Sequence, residues 1–341
     1  MKYFDSDYLE GCAPEILKKL AETNFEQTAG YGTDSYCESA KSKIKAACKC
    51  KDGDVWFLVG GTQANSTVLD ALLKAGEGVI STDIGHIATH EAGAVETFGH
   101  KVITLPHQNG KLTAEKLNTF LQQFYEDKTF PHMVNPGAVY ISHPTEYGTL
   151  YTKKELEQLH ILCKDYNIPL FLDGARLGYG LVAPNNDVTL PVIAKYTDVF
   201  YIGGTKIGAL FGEAVVFPKK DTIKNFFTTI KRHGALLAKG RLLGIQFDTL
   251  FTNNLYLNLA KNAINCAIYL RENLIKKGYK FFIDSPTNQT FVIINNTKIK
   301  ELEKKISFSV WQLFDDKNTV VRFATSWATK IEDIDYLLSL L

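Results

Sequence analysis

Long apolar runs are missing from this chain of 341 residues. No segment approaches the roughly 18 uninterrupted apolar residues of a membrane helix. The N-terminus, "MKYFDSDYLEGCAPEIL", carries acidic residues where a signal peptide needs an apolar stretch. The sequence therefore predicts no membrane anchor, no membrane partner and no secretion signal, and we expect a cytoplasmic protein.

An excess of charge of one sign is missing as well. Lys plus Arg is 38 and Asp plus Glu is 37, which gives a formal net charge of +1. This balance creates no global field that would attract a polyanion. Binding to nucleic acid is therefore not expected.

Cysteine is sparse, with six residues at positions 12, 37, 48, 50, 163 and 266. These positions are too scattered for the disulfide framework of a small secreted domain. Cys48 and Cys50 have the beginning of a metal-binding pattern, but no second Cys or His pair follows at ligand spacing. We expect reduced thiols and no bound metal.

What the chain does contain is an alternation of short apolar runs and helical patterns from residue 55 to about residue 217. Seven runs are rich in β-branched or aromatic residues: "VWFLV", "GVIST", "KVITLP", "AVYISH", "PLFLD", "DVFYIGG" and "AVVFP". Such an alternation is typical of an α/β fold whose mostly parallel sheet is covered on both faces. Its binding residues are expected at the C-terminal ends of the strands.

The pattern changes after about residue 220. Two long helical stretches follow, over residues 220–251 and 256–279, and then the short strands "TFVIIN" and "VVRFATSW". A chain of this length is often divided between two domains. We predict a large domain over residues 1–244 and a smaller α+β domain over residues 245–341.

A strand, a Gly-Gly-Thr turn and a helix occur in "DVWFLVGGTQANSTVLDALL". Gly60 and Gly61 let a ligand approach the backbone closely, and Thr62 can add a hydroxyl donor. The free N–H groups of the helix start would favour a phosphate, although many such turns only connect a strand to a helix. The P-loop lysine spacing and the three-glycine dinucleotide pattern are both lacking, so a nucleotide is not favoured.

The stretch "PLFLDGARLG" ends a buried strand on Asp173, with Arg176 three residues later. A buried aspartate is costly unless it meets a cation. Asp173 can pair internally with Arg176. Alternatively, it can face a protonated heterocyclic nitrogen while Arg176 holds an anionic substrate group.

Two histidines follow the strand "GVIST", in "STDIGHIATHEAGA". The imidazole of His86 can stack on a flat ring, act as a general base, or satisfy itself through hydrogen bonds in a loop. His86 and His90 lie four residues apart, but no third zinc ligand accompanies them.

Lys206 lies in "FYIGGTKIGALFGEAVVF", between two strand patterns and after two glycines. Its amine would emerge at a strand end, on the same side of the sheet as Asp173 and the Gly-Gly-Thr turn. Such a lysine can be an ordinary surface residue, pair with a phosphate, or use its amine in covalent chemistry.

Taken in order, these motifs resemble the fold-type I pyridoxal-phosphate (PLP) enzymes, and more closely the threonine aldolase and aromatic amino acid β-eliminating lyase family. The resemblance extends over almost the whole chain. Further matching stretches are "FDSDYLEG", "YGTD", "SHPTEYGTLY", "HGALLAKGRLLGIQ" and "VRFATSW". The family usually begins with Arg-Ser-Asp-Thr and approaches its lysine through serines, whereas this chain has "FDSDY" and "IGGTK".

The resemblance implies a seven-stranded, mostly parallel sheet and a PLP cofactor. Lys206 would form the internal aldimine, Asp173 would pair with the pyridine nitrogen, and His86 would stack on the ring. The phosphate would be bound by Gly61 and Thr62, with Arg241 reaching it from a neighbouring subunit of a homodimer or homotetramer. Gly60 and Thr205 would also contact the cofactor. The substrate would be held by Ser6, Tyr31, Arg176 and Arg322, with Arg176 lying beside the cofactor as well.

The implied reaction is aldol cleavage of a β-hydroxy-α-amino acid, such as L-threonine or L-allo-threonine, to glycine and an aldehyde. His86, or His143 in "SHPTEYG", would remove the hydroxyl proton directly or through water. Two alternatives stay open at this stage: a PLP-dependent β-eliminating lyase that acts on another amino acid, and a relative that keeps the fold without catalysis.

Overall fold

A computed structural model describes all 341 residues of the chain. It contains thirteen strands: β1 (Lys2–Tyr3), β2 (Asp54–Leu58), β3 (Glu77–Thr82), β4 (Val102–Leu105), β5 (Asn135–Ser142), β6 (Leu170–Asp173), β7 (Val199–Gly203), β8 (Glu213–Phe217), β9 (Lys280–Phe281), β10 (Gln289–Asn295), β11 (Ile306–Ser307), β12 (Ser309–Leu313) and β13 (Asn318–Ala324).

Thirteen α-helices accompany them: α1 (Pro14–Glu22), α2 (Ser35–Cys48), α3 (Gly61–Leu72), α4 (His86–Thr89), α5 (Ala114–Glu126), α6 (Lys153–Asp165), α7 (Leu177–Leu181), α8 (Leu190–Tyr196), α9 (Phe226–Arg232), α10 (Arg241–Leu250), α11 (Leu255–Lys276), α12 (Asn296–Leu302) and α13 (Ile331–Leu340). None of these helices combines the length and the apolarity that crossing a membrane requires.

The central sheet has seven strands in the order β2-β8-β7-β6-β5-β3-β4. Neighbouring strands are parallel except at β8, which runs antiparallel to both β2 and β7. Every residue of β6, β7 and β8 is buried, as expected for strands covered on both faces. The seven strands predicted from the sequence are β2 to β8, and the predicted fold class is confirmed.

A second sheet of four antiparallel strands, in the order β12-β13-β10-β9, forms the smaller α+β part of the chain. It has its own apolar core, to which α11 contributes Leu270 and Leu274, and β13 contributes Val321 and Phe323. The predicted domain boundary between residues 244 and 245 falls inside α10. The division at that point stays a prediction.

The helical pattern predicted over residues 220–251 is interrupted in the structure. Helix α9 ends at Arg232 and α10 begins at Arg241. Gly234 adopts a left-handed φ of 65°, and a side chain on Gly240 would come within 2.4 Å of the backbone nitrogen of Gly32. The chain turns here so that this segment can pack against the loop before α2.

The N-terminal segment belongs to both parts of the molecule. Strand β1 pairs in parallel with β11. The backbone of Phe4 donates to the carbonyl of Ser307 at 2.8 Å and accepts from the N–H of Ala324 at 2.8 Å, while its ring lies in the core of the smaller sheet. This segment then continues to the C-terminal edge of the central sheet.

Candidate active site

Two adjoining cavities lie at the C-terminal ends of the parallel strands. The inner cavity has a volume of about 370 Å³ and the outer one about 460 Å³. They have six lining residues in common: Tyr8, His86, His90, Glu146, Arg176 and Lys206. This is the edge at which open α/β sheets bind ligands, and the volumes suit a small molecule.

Lys206 lies in the turn between β7 and β8 and lines both cavities. A side chain at Gly203 would come within 2.3 Å of the carbonyl oxygen of Ala175, so the approach to the turn requires glycine. The hydroxyl of Tyr179 donates to the backbone carbonyl of Lys206 at 2.5 Å. Burial, reinforced by the nearby Arg176, lowers the pKa of the Lys206 amine.

Asp173 ends β6 at the wall of the inner cavity. Its carboxylate accepts hydrogen bonds from the Tyr140 hydroxyl at 2.6 Å, the Asn65 amide at 3.0 Å and the Ala175 N–H at 3.0 Å. Burial alone would raise the pKa of Asp173, but the nearby His86 and the hydrogen bonds from Tyr140 and the Ala175 N–H hold it below its usual value. Asp173 is therefore a buried carboxylate, and no lysine or arginine forms an ion pair with it.

A second buried carboxyl, Glu213, begins β8 beneath the Lys206 turn. It accepts from the Thr205 hydroxyl at 2.8 Å and from the Gly204 N–H at 3.2 Å. Burial raises the pKa of Glu213 to about 8, although these contacts and Lys206 oppose the rise. The side chain thereby fixes the two residues that precede Lys206.

His86 lies at the N-terminus of α4 and faces both cavities. Its Nδ1 contacts a carboxylate oxygen of Glu91 at 2.7 Å, and the same oxygen accepts from the amide of Asn65 at 2.7 Å. Asn65 also bonds Asp173, so one amide links the histidine network to the buried carboxylate. These contacts fix the orientation of the ring.

Glu146 supports the same region from the loop after β5. One of its carboxylate oxygens accepts from the Ser142 hydroxyl at 2.6 Å and from the backbone N–H of His86 at 3.0 Å. Burial raises the pKa of Glu146, although the Ser142 hydrogen bond opposes this.

Arg176 forms a two-pronged ion pair with Asp7 rather than with Asp173. Its Nε and Nη2 lie 2.8 and 2.9 Å from the two carboxylate oxygens of Asp7. Burial alone would raise the pKa of Asp7, but Arg176 and Lys206 lower it to about 2. The pair therefore joins the N-terminal segment to the inner cavity, and the internal pairing of Asp173 with Arg176 is not formed.

The outer cavity contains a second arginine. Arg322 donates to the side-chain oxygen of Gln289 at 2.9 Å, to the Asp5 carbonyl at 2.8 Å and to the Ser309 hydroxyl at 3.0 Å. Its Nε and the hydroxyl of Ser6 are both buried without a hydrogen-bond partner. These donors remain available to a ligand that reorganises the wall.

The Gly-Gly-Thr turn also lines the inner cavity. Gly60 caps α3, and Gly61 and Thr62 open it, so the first N–H groups of a twelve-residue helix lie at the cavity wall. A side chain at Gly60 would meet no atom within 4 Å, which leaves room for a ligand beside the turn. The Tyr201 hydroxyl lies next to Gly61, buried and without a partner.

Three of the predicted site residues lie outside both cavities. His143 is fully buried, its Nδ1 accepts from the N–H of Tyr151 at 3.2 Å, and burial lowers its pKa to about 4. Tyr31 lies against Lys231 on another face. Arg241 donates to the carbonyls of Glu26 and Thr23, both at 2.6 Å.

Sequence reasoning assigned no role to several residues that line or support the cavities. Glu91 and Glu146 lie within the quoted motifs "HEAGA" and "SHPTEYG", so proximity to a predicted histidine was an available signal. Tyr8 lies in the quoted stretch "FDSDYLEG", and its ring lies 5.8 Å from the Lys206 amine. Asp7, Asn65, Tyr140 and Glu213 also lie within quoted stretches, but their partners are in other segments, so the sequence does not show these contacts.

The chain is similar to known proteins over almost its whole length. The profile of the β-eliminating lyase family matches residues 4–297. The low specificity L-threonine aldolase of Pseudomonas aeruginosa is 28% identical over 334 residues, which cover 97% of this chain and 94% of that one. The structure of Leishmania major threonine aldolase is 41% identical, with a TM-score of 0.96 over 100% of this chain and 98% of that one.

The chain therefore belongs to the β-eliminating lyase family. More distant structures show the fold alone: a Thermus thermophilus aspartate aminotransferase superposes with a TM-score of 0.72 at 15% identity, over 99% of this chain and 90% of that one. The fold is that of the fold-type I PLP enzymes.

Proposed function

We propose that this protein is a PLP-dependent lyase that cleaves β-hydroxy-α-amino acids, such as L-threonine or L-allo-threonine, to glycine and an aldehyde. The observation that carries the proposal is that the Lys206 amine and the Asp173 carboxylate line one cavity in a chain of this family. The chain is also similar to proteins named low specificity L-threonine aldolase and threonine aldolase, which supports the same reaction.

The residues of the inner cavity fit PLP in charge and shape. Asp173 is a buried carboxylate without a lysine or arginine partner, which suits a protonated pyridine nitrogen. The start of α3 suits a phosphate. The residues that would hold the cofactor are Gly60, Gly61, Thr62, His86, Asp173, Arg176, Thr205 and Lys206. When bound, PLP supplies an electron-accepting ring that stabilises the electron pair released at the substrate's α-carbon.

Lys206 contributes an amine that must be neutral to attack a carbonyl or imine carbon. Burial and the neighbouring Arg176 lower its pKa, which increases the neutral fraction at a given pH. Glu213 holds Thr205 and Gly204 in place, and so holds the turn that presents the amine.

Ser6, Arg176 and Arg322 would bind the substrate carboxylate. Asp7 engages two of the Arg176 nitrogens and thereby fixes the guanidinium plane before a substrate arrives. Arg322 is held in the same way by Gln289 and the Asp5 carbonyl. Such preorganisation reduces the conformational entropy that binding would otherwise cost.

His86 would accept the proton of the substrate's β-hydroxyl group. Glu91 engages Nδ1, so Nε2 is the nitrogen left for the substrate or for a bridging water. A carboxylate on the far side of the ring also stabilises the imidazolium that forms. His143 lies outside the cavity, so we assign it no part in proton transfer.

We further propose a cytoplasmic homodimer or homotetramer with shared active sites. All six cysteines are free and buried, which suits a reducing compartment. Arg241 and Tyr31 do not line the inner or the outer cavity of their own chain. An assembly in which Arg241 reaches the cofactor phosphate of a neighbouring subunit would give it the predicted role.

Cleavage by β-elimination is the second candidate, because the matching family is described by that reaction. Elimination would release ammonia and a keto acid, whereas aldol cleavage releases glycine and an aldehyde. Glycine and an aldehyde formed from L-threonine or L-allo-threonine would support aldol cleavage. Ammonia and a keto acid formed from any member of a panel of other β-substituted amino acids would support elimination, whereas a non-catalytic relative would form neither set of products.

Substitution of the lysine tests the proposal directly. Lys206→Ala should remove the long-wavelength absorbance of the lysine-bound cofactor and abolish aldehyde release, because no other amine replaces it. Lys220→Ala, at an exposed position after β8, is the matched control and should retain both. Unchanged absorbance and activity in Lys206→Ala would refute the assignment.

A further inference from the structure

A third cavity, of about 780 Å³, is lined mostly by the smaller α+β part of the chain, with Pro184 of the larger part also in its lining. It shares no lining residue with the inner and outer cavities. One wall is a single face of α11, with Ile268, Arg271, Glu272 and Ile275 at helical spacing. The other wall comes from residues 280–285 and the start of β10. The proposed reaction makes no use of this cavity.

Arg271 is the unusual residue of this wall. It is half-buried, forms no hydrogen bond or ion pair with the protein, and its Nη1 is excluded from solvent without a partner. Arg176 and Arg322, by contrast, are both held by acceptors. Burial lowers the pKa of Arg271, although Asp284 and Glu272 oppose this. A buried guanidinium nitrogen without an acceptor is costly, and an anion would remove that cost.

Apart from Arg271, the lining consists of six apolar residues, Pro184, the polar side chains of Lys280, Ser285 and Thr290, and the acidic side chains of Glu272 and Asp284. Ile275 is 63% exposed although it is a large aliphatic side chain, and Phe281 is half-buried. The carboxylates of Glu272 and Asp284 are exposed and do not pair with Arg271. Carboxylates that can bind a cation, a guanidinium that can bind an anion and apolar side chains therefore line the same cavity.

We propose that this cavity binds a free apolar α-amino acid, with Arg271 on its carboxylate, Asp284 or Glu272 on its ammonium group, and Ile268, Ile275 and Phe281 around its side chain. The volume lies within the range of small-molecule sites. The proposal is independent of the reaction catalysed in the inner cavity.

L-Leucine is the probe, titrated calorimetrically into the PLP-loaded enzyme in the presence of saturating glycine, so that the catalytic site is already occupied. The variants are Arg271→Met and, as a matched control, Lys276→Met, which removes one exposed cation from the same helix. We expect equal affinity in the wild type and Lys276→Met. Affinity should be at least about tenfold weaker in Arg271→Met, the loss of one charge-assisted hydrogen bond.

Two analogues of leucine test which of its groups the cavity recognises. They are titrated into the wild type, so the result does not depend on whether the variants fold. 3-Methylbutylamine lacks the carboxylate and should not bind, and 4-methylpentanoate lacks the ammonium group and should bind more weakly than leucine. Equal affinity of leucine and 4-methylpentanoate would overturn the amino-acid assignment.

Absence of leucine binding to the wild type, or equal affinity in Arg271→Met, would overturn the site. Size-exclusion chromatography of both variants tests the competing occupant, a second copy of this chain. Dissociation of the assembly in Arg271→Met alone would identify the cavity as a subunit interface and overturn the proposal.

Discussion

Two carboxyl groups at the same edge of the central sheet have opposite pKa shifts. Asp173 at the end of β6 is 5% exposed and Glu213 at the start of β8 is 3% exposed. The pKa of Asp173 lies below its usual value, whereas that of Glu213 rises to about 8. Equal burial therefore does not fix the charge of a buried carboxyl group.

The difference lies in what surrounds each group. Asp173 accepts from Tyr140, Asn65 and the Ala175 N–H, with the His86 ring nearby. Glu213 accepts from one hydroxyl and one N–H, and Lys206, whose own pKa is lowered, is the cation beside it. The nearby Asp173 carboxylate adds to the effect of burial and raises the pKa of Glu213. Hydrogen bonds and neighbouring charge offset desolvation in the first case and fail to do so in the second.

The largest effect is expected when Asp173, the ionised carboxyl group of the two, is neutralised. Asp173→Asn should reduce kcat/KM by about a hundredfold to a few thousandfold, because removing one partner of a buried charge pair costs about 3–5 kcal/mol. The measurement is steady-state aldehyde release with L-threonine. Asp165→Asn, exposed at the end of α6, is the control. A loss below tenfold in Asp173→Asn would contradict the cation-facing role.

A smaller effect is expected when Glu213, the protonated carboxyl group, is replaced by glutamine, which has the same shape and no charge. Since the pKa of Glu213 is about 8 in the folded protein and near 4.5 when unfolded, the folded state retains a proton that the unfolded chain releases between these values. The free energy of unfolding contributed by this group therefore falls as pH rises from about 4.5 to about 8. Glu213→Gln should remove this contribution.

Urea unfolding of the cofactor-free protein at the two ends of this window measures the effect. The stability of Glu213→Gln relative to the wild type should increase by a few kcal/mol at the alkaline end, since one pKa unit corresponds to about 1.4 kcal/mol. Glu126→Gln, on an exposed position of α5, should show no such trend. A pH-independent difference between Glu213→Gln and the wild type would mean that Glu213 is ionised throughout.

The smallest effect is expected from removing one donor to Asp173. Tyr140→Phe should raise the pKa of Asp173 and reduce kcat/KM about tenfold, because a hydrogen bond to a charged group contributes about 1.5–3 kcal/mol. The acid limb of the pH–rate profile should move to higher pH, since Asp173 then loses its charge earlier. Tyr166→Phe, whose hydroxyl bonds nothing, is the control. If the acid limb does not move in Tyr140→Phe, the other contacts of Asp173 are sufficient to keep it ionised.

The sequence predicted the central sheet and the edge at which ligands bind, because strand patterns and strand ends are local signals. Lys206, Asp173 and the Gly60–Thr62 turn were placed together on that basis, and the structure has them around one cavity. Local signals do not specify which side of a strand end faces the cavity. Ser142 bonds Glu146 there, so His143, the next residue, points away and is buried beside Tyr151.

Contacts between distant segments could not be predicted. Asp7 meets Arg176 across 169 positions of the chain, and only the folded structure brings them together. The role of Arg241 and Tyr31 depends on a neighbouring subunit and stays a prediction. The break between α9 and α10 depends on the close approach of Gly240 to Gly32, which periodicity over residues 220–251 does not reveal.

The N-terminal segment also determines the order in which the site can be completed during synthesis. The residues that leave the ribosome first, Phe4 and Asp7, find their partners in Ala324 and Asn288, near the end of the chain. A nascent chain that stops before residue 288 contains all seven strands of the central sheet, yet its Arg176 pair lacks the support of Asn288. Arg322 itself is made near the end of the chain, so its contact with the Asp5 carbonyl can form only after nearly the whole chain has been synthesised.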